Sequence, residues 1–270
     1  MSKAAWKTQR RLFITGATAA TLGLIPFCAF GQTLRTPVKR NPFPKHSIAT
    51  VLERYGDAAS ERLAPYFEAA GVAFPPRQVT LLAMKQERKL ELWASHDAIS
   101  SDEALWSKDS GPGTFTFIRS YDIRKASGVA GPKLREGDRQ VPEGFYFIED
   151  LNPNSSYHLS MKLNYPNPYD LHHAQAEGRY APGSNIFIHG KAISAGCLAM
   201  GDRVIEELFV LAARIGHPNV RVVIAPQDPR VRALRVNPRT MPTWTAQLYG
   251  AIAEEFRKYS QSARLARAAD

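Results

Sequence analysis

Glycine and proline cut this chain into short pieces. Gly71, Pro75-Pro76, Gly111-Pro112-Gly113, Gly131-Pro132 and Pro142-Glu143-Gly144 punctuate its middle, and each such cluster breaks a helix or a strand. What lies between them is short, apolar and often alternating. The run QVTLLAMKQERKLELWAS predicts two strands around a polar turn near Gln86-Glu87. Further strands are predicted at Thr114–Ser120, Gly144–Glu149, Tyr157–Tyr165 and Asn185–Gly190. In Tyr157–Tyr165 the alternation puts Tyr157, Leu159, Met161, Leu163 and Tyr165 on one face, and His158, Ser160, Lys162 and Asn164 on the other.

Helical spacing is confined to the two ends. From Ile48 to Ala70 the residues Ile48, Val51, Leu52, Tyr55, Leu63, Tyr66 and Phe67 share a helical stripe; Pro65 is expected to kink it or to start a second short helix. Asp202 is placed to cap a helix whose stripe is Val204, Ile205, Leu208, Leu211, Ala212 and Ile215, closed by Gly216 and Pro218. Val220–Ala225 reads as a buried strand. Pro242 opens a last helix with Trp244, Leu248, Ile252 and Phe256 on one face. The pattern predicts a mainly β domain with helices packed outside it.

The first residues read as an export signal. Lys3, Lys7, Arg10 and Arg11 form a basic start with no acidic residue, and an apolar run from Leu12 to about Phe30 follows. That run is too short and too rich in Gly and Thr to span a bilayer. Cleavage is expected after Gly31. Arg10-Arg11 before Leu12-Phe13-Ile14 reads as a twin-arginine signal; the alternative is a general secretory signal that carries two arginines. Bulky Phe27 argues against a lipoprotein reading of Cys28. The resulting organisation is a signal at 1–31, a proline-rich basic linker and helical segment at 32–77, a catalytic domain at 78–228, and a C-terminal helix with a basic tail at 229–270. Without the four signal charges the net charge falls from +10 to +6. A moderate positive charge suits acidic peptides, glycans or anionic lipid, and equally a dispersed solvated surface. No Lys/Arg block interleaved with aromatics points to nucleic acid.

Two cysteines stand in the chain, and only Cys197 remains after cleavage. Export implies an oxidising compartment, where a thiol with no internal partner is either a buried bystander or a reactive group. Its surroundings favour chemistry. His189 ends the strand Asn185–Gly190 and faces away from Ile186 and Ile188. Ser194-Ala195-Gly196 precedes Cys197. A glycine turn can aim successive N–H groups into one concavity. A thiol that attacks an acyl carbon needs a base, oxyanion donors and a fixed imidazole tautomer. His189, the amides of Ala195 to Cys197, and a carbonyl near Gly190 are candidates for these three roles. A thiol so placed is expected to be more acidic than a free cysteine.

The segment Ile188-His189-Gly190 … Ser194-Ala195-Gly196-Cys197 resembles the signature of the L,D-transpeptidase catalytic domain of YkuD type. Gly196-Cys197-Leu198-Ala199-Met200 and the run from Gly131 to Asp170 are similar to its YafK-like branch. This resemblance covers roughly Gln78 to Ala225. It implies a β-sandwich or barrel with peripheral helices, Cys197 as nucleophile, His189 as base, and support from Gly190, Ser194, Ala195 and Gly196. The implied substrate is a peptidoglycan stem peptide, cut at the L-centre of its third residue through a thioester. The thioester is then resolved by an amine, that of a wall-attached protein included, or by water. The implied place is the periplasm or cell envelope.

The sequence departs from the family at three points. The family's histidine before Gly-Cys and its arginine after it are Ala195 and Ala199 here, and the loop from His189 to Cys197 is short. An open site that favours hydrolysis is expected from those changes. His158 and Asn164 are candidate substrate-binding residues. His172-His173 with His158 or His189 has no metal-ligand spacing, so neither a metal nor a cofactor is expected. Two other readings are a papain-like peptidase or amidase, which places Cys before His in the chain, and a non-catalytic wall-binding module.

Overall fold

The computed structural model describes residues 45–95 and 115–259. The signal, the twin-arginine pair, Cys28, His96, Gly111-Pro112-Gly113 and the tail from residue 260 lie outside the described residues. Helix α1 spans Ile48–Ala69, followed by strands β1 (Gln78–Met84), β2 (Lys89–Ser95), β3 (Thr116–Asp122), β4 (Lys125–Ala126), β5 (Gly144–Asn152) and β6 (Ser160–Leu163). Helix α2 (Pro168–Ala176) precedes β7 (Phe187–His189) and β8 (Leu198–Ala199); α3 (Asp202–Ile215), β9 (Val220–Ala225) and α4 (Thr245–Lys258) complete the order.

The nine strands form one sheet in the order β3-β2-β1-β9-β5-β6-β7-β8-β4. The fold is mainly β with helices outside it, as the punctuation predicts. Strand β1 pairs with β2 as a hairpin, Leu81 opposite Leu92, and runs parallel to β9. At the other end β7 and β8 are parallel, with Ile188 opposite Leu198 and His189 opposite Ala199.

Alternation sends each central strand's side chains into two cores. Val79, Leu81 and Ala83 of β1, with Val222 and Ile224 of β9, join Leu63 and Phe67 of α1 and Leu208 and Phe209 of α3. The opposite face, with Leu82, Met84, Trp93 and Val223, packs on Leu248, Tyr249, Ile252 and Phe256 of α4. The α4 face also takes Thr80, whose hydroxyl lies 3.2 Å from that of Tyr259. The two core faces of this sheet half are therefore closed by helices that lie outside the strand-rich middle of the sequence.

Several elements differ from expectation. Helix α1 runs unbroken through Pro65. Ser47 caps it: its hydroxyl accepts from Thr50 N at 3.1 Å while Thr50 Oγ1 accepts from Ser47 N at 2.8 Å. Helix α2, which carries His172-His173, has no counterpart among the elements expected from the sequence; only Ala174 is buried in it, so it has no apolar stripe to read. Its signal is Asn167-Pro168-Tyr169-Asp170, a capping box with proline at the first turn. Strand β6 is shorter than the predicted Tyr157–Tyr165 run because His158 sits at φ 76°, outside the strand region. Gly201, rather than Asp202, occupies the cap position of α3.

Candidate active site

Ile186, just before β7, and Ile188 within it point into the core, and the strand ends at His189, buried with 3% of its surface exposed. The imidazole is held on two sides. Its Nδ1 lies 2.6 Å from the Gly190 carbonyl, and a carbonyl only accepts, so Nδ1 carries the proton and Nε2 the basic lone pair. The Tyr157 ring packs on it at a centroid distance of 4.6 Å. Gly190 is needed for close approach. A Cβ there would meet Tyr157 O at 2.6 Å and Asp202 Oδ1 at 2.7 Å. Burial pushes the His189 pKa below the ordinary imidazole value, while the Gly190 carbonyl partly offsets this. The ring is therefore neutral, and free to take a proton, at neutral pH.

Cys197 stands one residue before β8, beside β7, and is a free thiol. Its Sγ faces the Asn185 carbonyl at 3.9 Å. Among the described residues no hydrogen bond joins it to His189. Burial raises its pKa, and the Phe187 amide and the Lys133 ammonium only partly counter that. The acidic thiol expected from the sequence is thus absent at rest: desolvation outweighs the nearby donors. Lys133 is itself bound to Asp138 and to the Arg135 carbonyl.

The backbone donors of the turn are engaged. Gly196, at φ 120°, is in the left-handed region that suits glycine, and its N–H donates to Ser127 Oγ at 2.7 Å. Cys197 N–H donates to Ser194 Oγ at 3.2 Å, and Ser194 Oγ donates to Cys197 O at 2.6 Å. Ala195 is exposed. Asp202 acts across the loop instead of capping α3: its carboxylate accepts from Lys191 N at 2.7 Å.

His189, Gly190, Ser194, Ala195, Gly196 and Cys197 gather at the ends of β7 and β8. His158 stands against Gly190, its Cβ 3.1 Å from where a Gly190 Cβ would lie, but its ring turns away, and the Asn164 amide is spent on β5. His158 Nε2 lies 3.0 Å from Glu206 of α3, and its ring meets Tyr55 of α1 edge-on. Glu206 also takes Arg62. Asn164 Oδ1 accepts from Phe147 N at 2.9 Å, which extends the contact of β5 with β6 past the Ile148–Leu163 pair. Ala199, the place of the family's arginine, is fully buried in β8, opposite His189 in the register. His173 stacks on Trp244 at 4.3 Å. No group of three or more metal-binding side chains occurs among the described residues.

Sequence reading missed Ser127, Tyr157 as a ring on His189, and Lys133. Ser127 follows a two-residue strand, too short to leave a pattern. Tyr157 falls before the strand that its alternation seemed to belong to. Lys133 lies in a loop, with only its charge to mark it.

Residues 110–224 match the model of the L,D-transpeptidase catalytic domain, YkuD. This segment, less than half of the chain, is similar to that domain. It contains His189, Cys197 and every strand from β3 to β8. YafK of Escherichia coli (strain K12), which bears the provisional name of an L,D-transpeptidase, is 40% identical over 117 residues. That alignment covers 42% of this chain and 45% of YafK, so the chain matches less than half the length of this relative. The YafK protein of strain O157:H7 aligns to the same extent. Among solved structures, the helical cell shape determining protein Pgp2 from Campylobacter jejuni is similar, with 20% identity and a TM-score of 0.42 over 66% of this chain and 54% of Pgp2. Bd1075 of Bdellovibrio bacteriovorus follows at 18% identity and a TM-score of 0.37, over 67% of this chain and 55% of Bd1075.

Proposed function

We propose that this protein is a cysteine acyltransferase or hydrolase of the bacterial envelope. It acts on peptidoglycan stem peptides at the L-centre of the third residue. What supports the reading is one arrangement: a free thiol one residue before β8, the strand that pairs with the one ending in His189, and an imidazole whose Nδ1 is held by the Gly190 carbonyl at 2.6 Å, both within a segment that matches the YkuD model.

The proposed chemistry starts from the neutral pair. Substrate binding turns Sγ from the Asn185 carbonyl towards the imidazole. Nε2 takes the thiol proton as sulfur bonds to the acyl carbon. The oxyanion is met by backbone N–H of the turn. Collapse breaks the C–N bond, and the imidazolium hands its proton to the departing amine. An incoming amine, or water, then releases the Cys197 thioester. Lys191, Ala192, Ile193 and Ala195 are exposed around the turn, and an open turn admits water. Hydrolysis is therefore proposed to exceed cross-linking. Peptidoglycan, with a wall-attached protein as one acceptor, is the proposed partner. Export by the twin-arginine or the general secretory route is proposed from the basic start. Lysine at both Arg10 and Arg11 separates the routes by whether a reporter fusion stays in the cytoplasm. No helix among the described residues is long and apolar enough to cross a membrane.

The test is a digest of defined muropeptides by the purified protein and by Cys197→Ala, first with donor alone and then with excess acceptor stem. Shortened stems, absent with Cys197→Ala, are expected. Mainly cross-linked dimer would overturn the hydrolytic part; turnover by Cys197→Ala would overturn the nucleophile.

A further inference from the structure

Donor counting fixes the two hydroxyl protons of the turn before the thiol. Ser194 Oγ has one proton, and it lies 2.6 Å from the Cys197 carbonyl, which can only accept. Ser194 therefore spends its proton there. The Ser127 and Ser194 hydroxyls are 3.2 Å apart, so in that contact Ser127 is the donor. Each oxygen then accepts one amide: Ser127 takes Gly196 N–H at 2.7 Å, and Ser194 takes Cys197 N–H at 3.2 Å. Two hydroxyls and two amides make a closed chain that ends on the nucleophile's own carbonyl.

The sheet brings Ser127 to this place. Strands β4 and β8 are antiparallel, with Lys125 opposite Ala199 and Ala126 opposite Leu198. Continuing that register by one residue sets Ser127 across from Cys197. The segment is braced from behind: Ser127 O accepts from Val141 N at 3.3 Å, and the Gln140 side chain holds Val129 by its N–H and its carbonyl. Ser127 is thus fixed to the frame while Gly196 and Cys197 belong to an irregular loop.

We propose that Ser127 is a positioning residue for Cys197, holding the turn through Gly196 N–H and orienting Ser194 through its own proton. The inference rests on the reading of Cys197 as nucleophile. The two amides differ in how firmly they are held. The Gly196 bond to Ser127 is the shorter and serves as a strut that persists through the reaction. The longer Cys197 bond to Ser194 is the one released, so Cys197 N–H becomes the oxyanion donor. Without Ser127 Oγ the buried Gly196 N–H loses its acceptor and Ser194 loses its donor. The turn then loosens, the thiol gains solvent, and its aim at the acyl carbon is lost.

The test uses the full chain with Ser127→Ala, Ser127→Thr and Cys197→Ala. Muropeptide turnover and thermal unfolding are measured on each, and iodoacetamide alkylation of Cys197 against pH on the unaltered protein and the two Ser127 variants, with Cys197→Ala as the blank. For Ser127→Ala, kcat should fall about 10- to 100-fold, the scale of a misplaced reacting group, with KM little changed. Its alkylation midpoint should drop towards that of a free thiol, so the cysteine reacts more readily as the enzyme works less well. Ser127→Thr, which keeps the hydroxyl, should restore both. Unchanged kcat and alkylation in Ser127→Ala overturn the proposal. So does a raised kcat, which would make the hydroxyl a latch, and so does a Ser127→Thr protein as impaired as Ser127→Ala. Turnover by Cys197→Ala would instead defeat the nucleophile reading, and the alkylation profile would still judge Ser127.

Discussion

At the scale of single residues the site depends on how two groups are kept uncharged. Burial lowers the pKa of His189 and raises that of Cys197, so the resting pair is imidazole and thiol. A base whose pKa is lowered stays competent to lower pH. The acid limb of kcat/KM should therefore have its midpoint below the ordinary imidazole value of about 6.5. His189→Gln should remove that limb and about 10²–10⁴-fold of the rate, with an unchanged circular dichroism spectrum. A loss of fold in that variant would make His189 a core residue instead. The positions of both residues were legible, because alternation from Ile186 to His189 and the glycine before Cys197 are local. The charge state of Cys197 was not, since desolvation depends on what packs around the sulfur. Nor was Ser127 legible: it meets Gly196 across 69 residues of chain, through a strand pair of two residues.

At the scale of elements, the short strands β7 and β8 set the spacing of the chemistry, and their packing limits what can be changed. Ala199 lies in β8 with His189 opposite and Lys125 on the other side. An arginine there overfills a packed sheet at about 1–3 kcal/mol and leaves a buried charge without a partner. Ala199→Arg should lower Tm, by about 2–4 °C per kcal/mol for a domain of this size, and should not gain an acceptor-binding function. Wild-type Tm with enhanced cross-linking would show that the position faces a groove after all. The same contrast explains which elements the sequence revealed. Stripes such as Val204 to Ile215 report burial directly and mark α3. Helix α2 buries only Ala174, so hydrophobic period is silent and only its capping residues mark it. The predicted polar face of Tyr157–Tyr165 held a groove in prospect, yet His158 is turned to Glu206 and Asn164 to Phe147. Which polar side chain faces substrate and which faces a neighbouring element is decided by tertiary packing.

At the scale of the whole molecule, the matched segment 110–224 does not contain the whole sheet or the helices that cover it. Strand β1 lies between β2 and β9, and α1 and α4 close the two faces of the sheet. Both helices come from segments that the sequence suggested lay beside the catalytic domain, and both supply its core. A fragment limited to 110–224 should lack a cooperative thermal transition, whereas 45–259 should keep one; a folded short fragment would show that the flanking elements are accessory. The proposed site is held by this arrangement, since Asp202 of α3 holds the loop at Lys191 and the strands β7 and β8 place His189 and Cys197. The central claim is that Cys197 becomes acylated by a stem peptide. Its most direct test is mass spectrometry of the protein quenched during turnover of a defined muropeptide. The account predicts an acyl adduct on the peptide that contains Cys197, labile to hydroxylamine and absent in Cys197→Ala. Turnover without any adduct, and undiminished in Cys197→Ala, would contradict it.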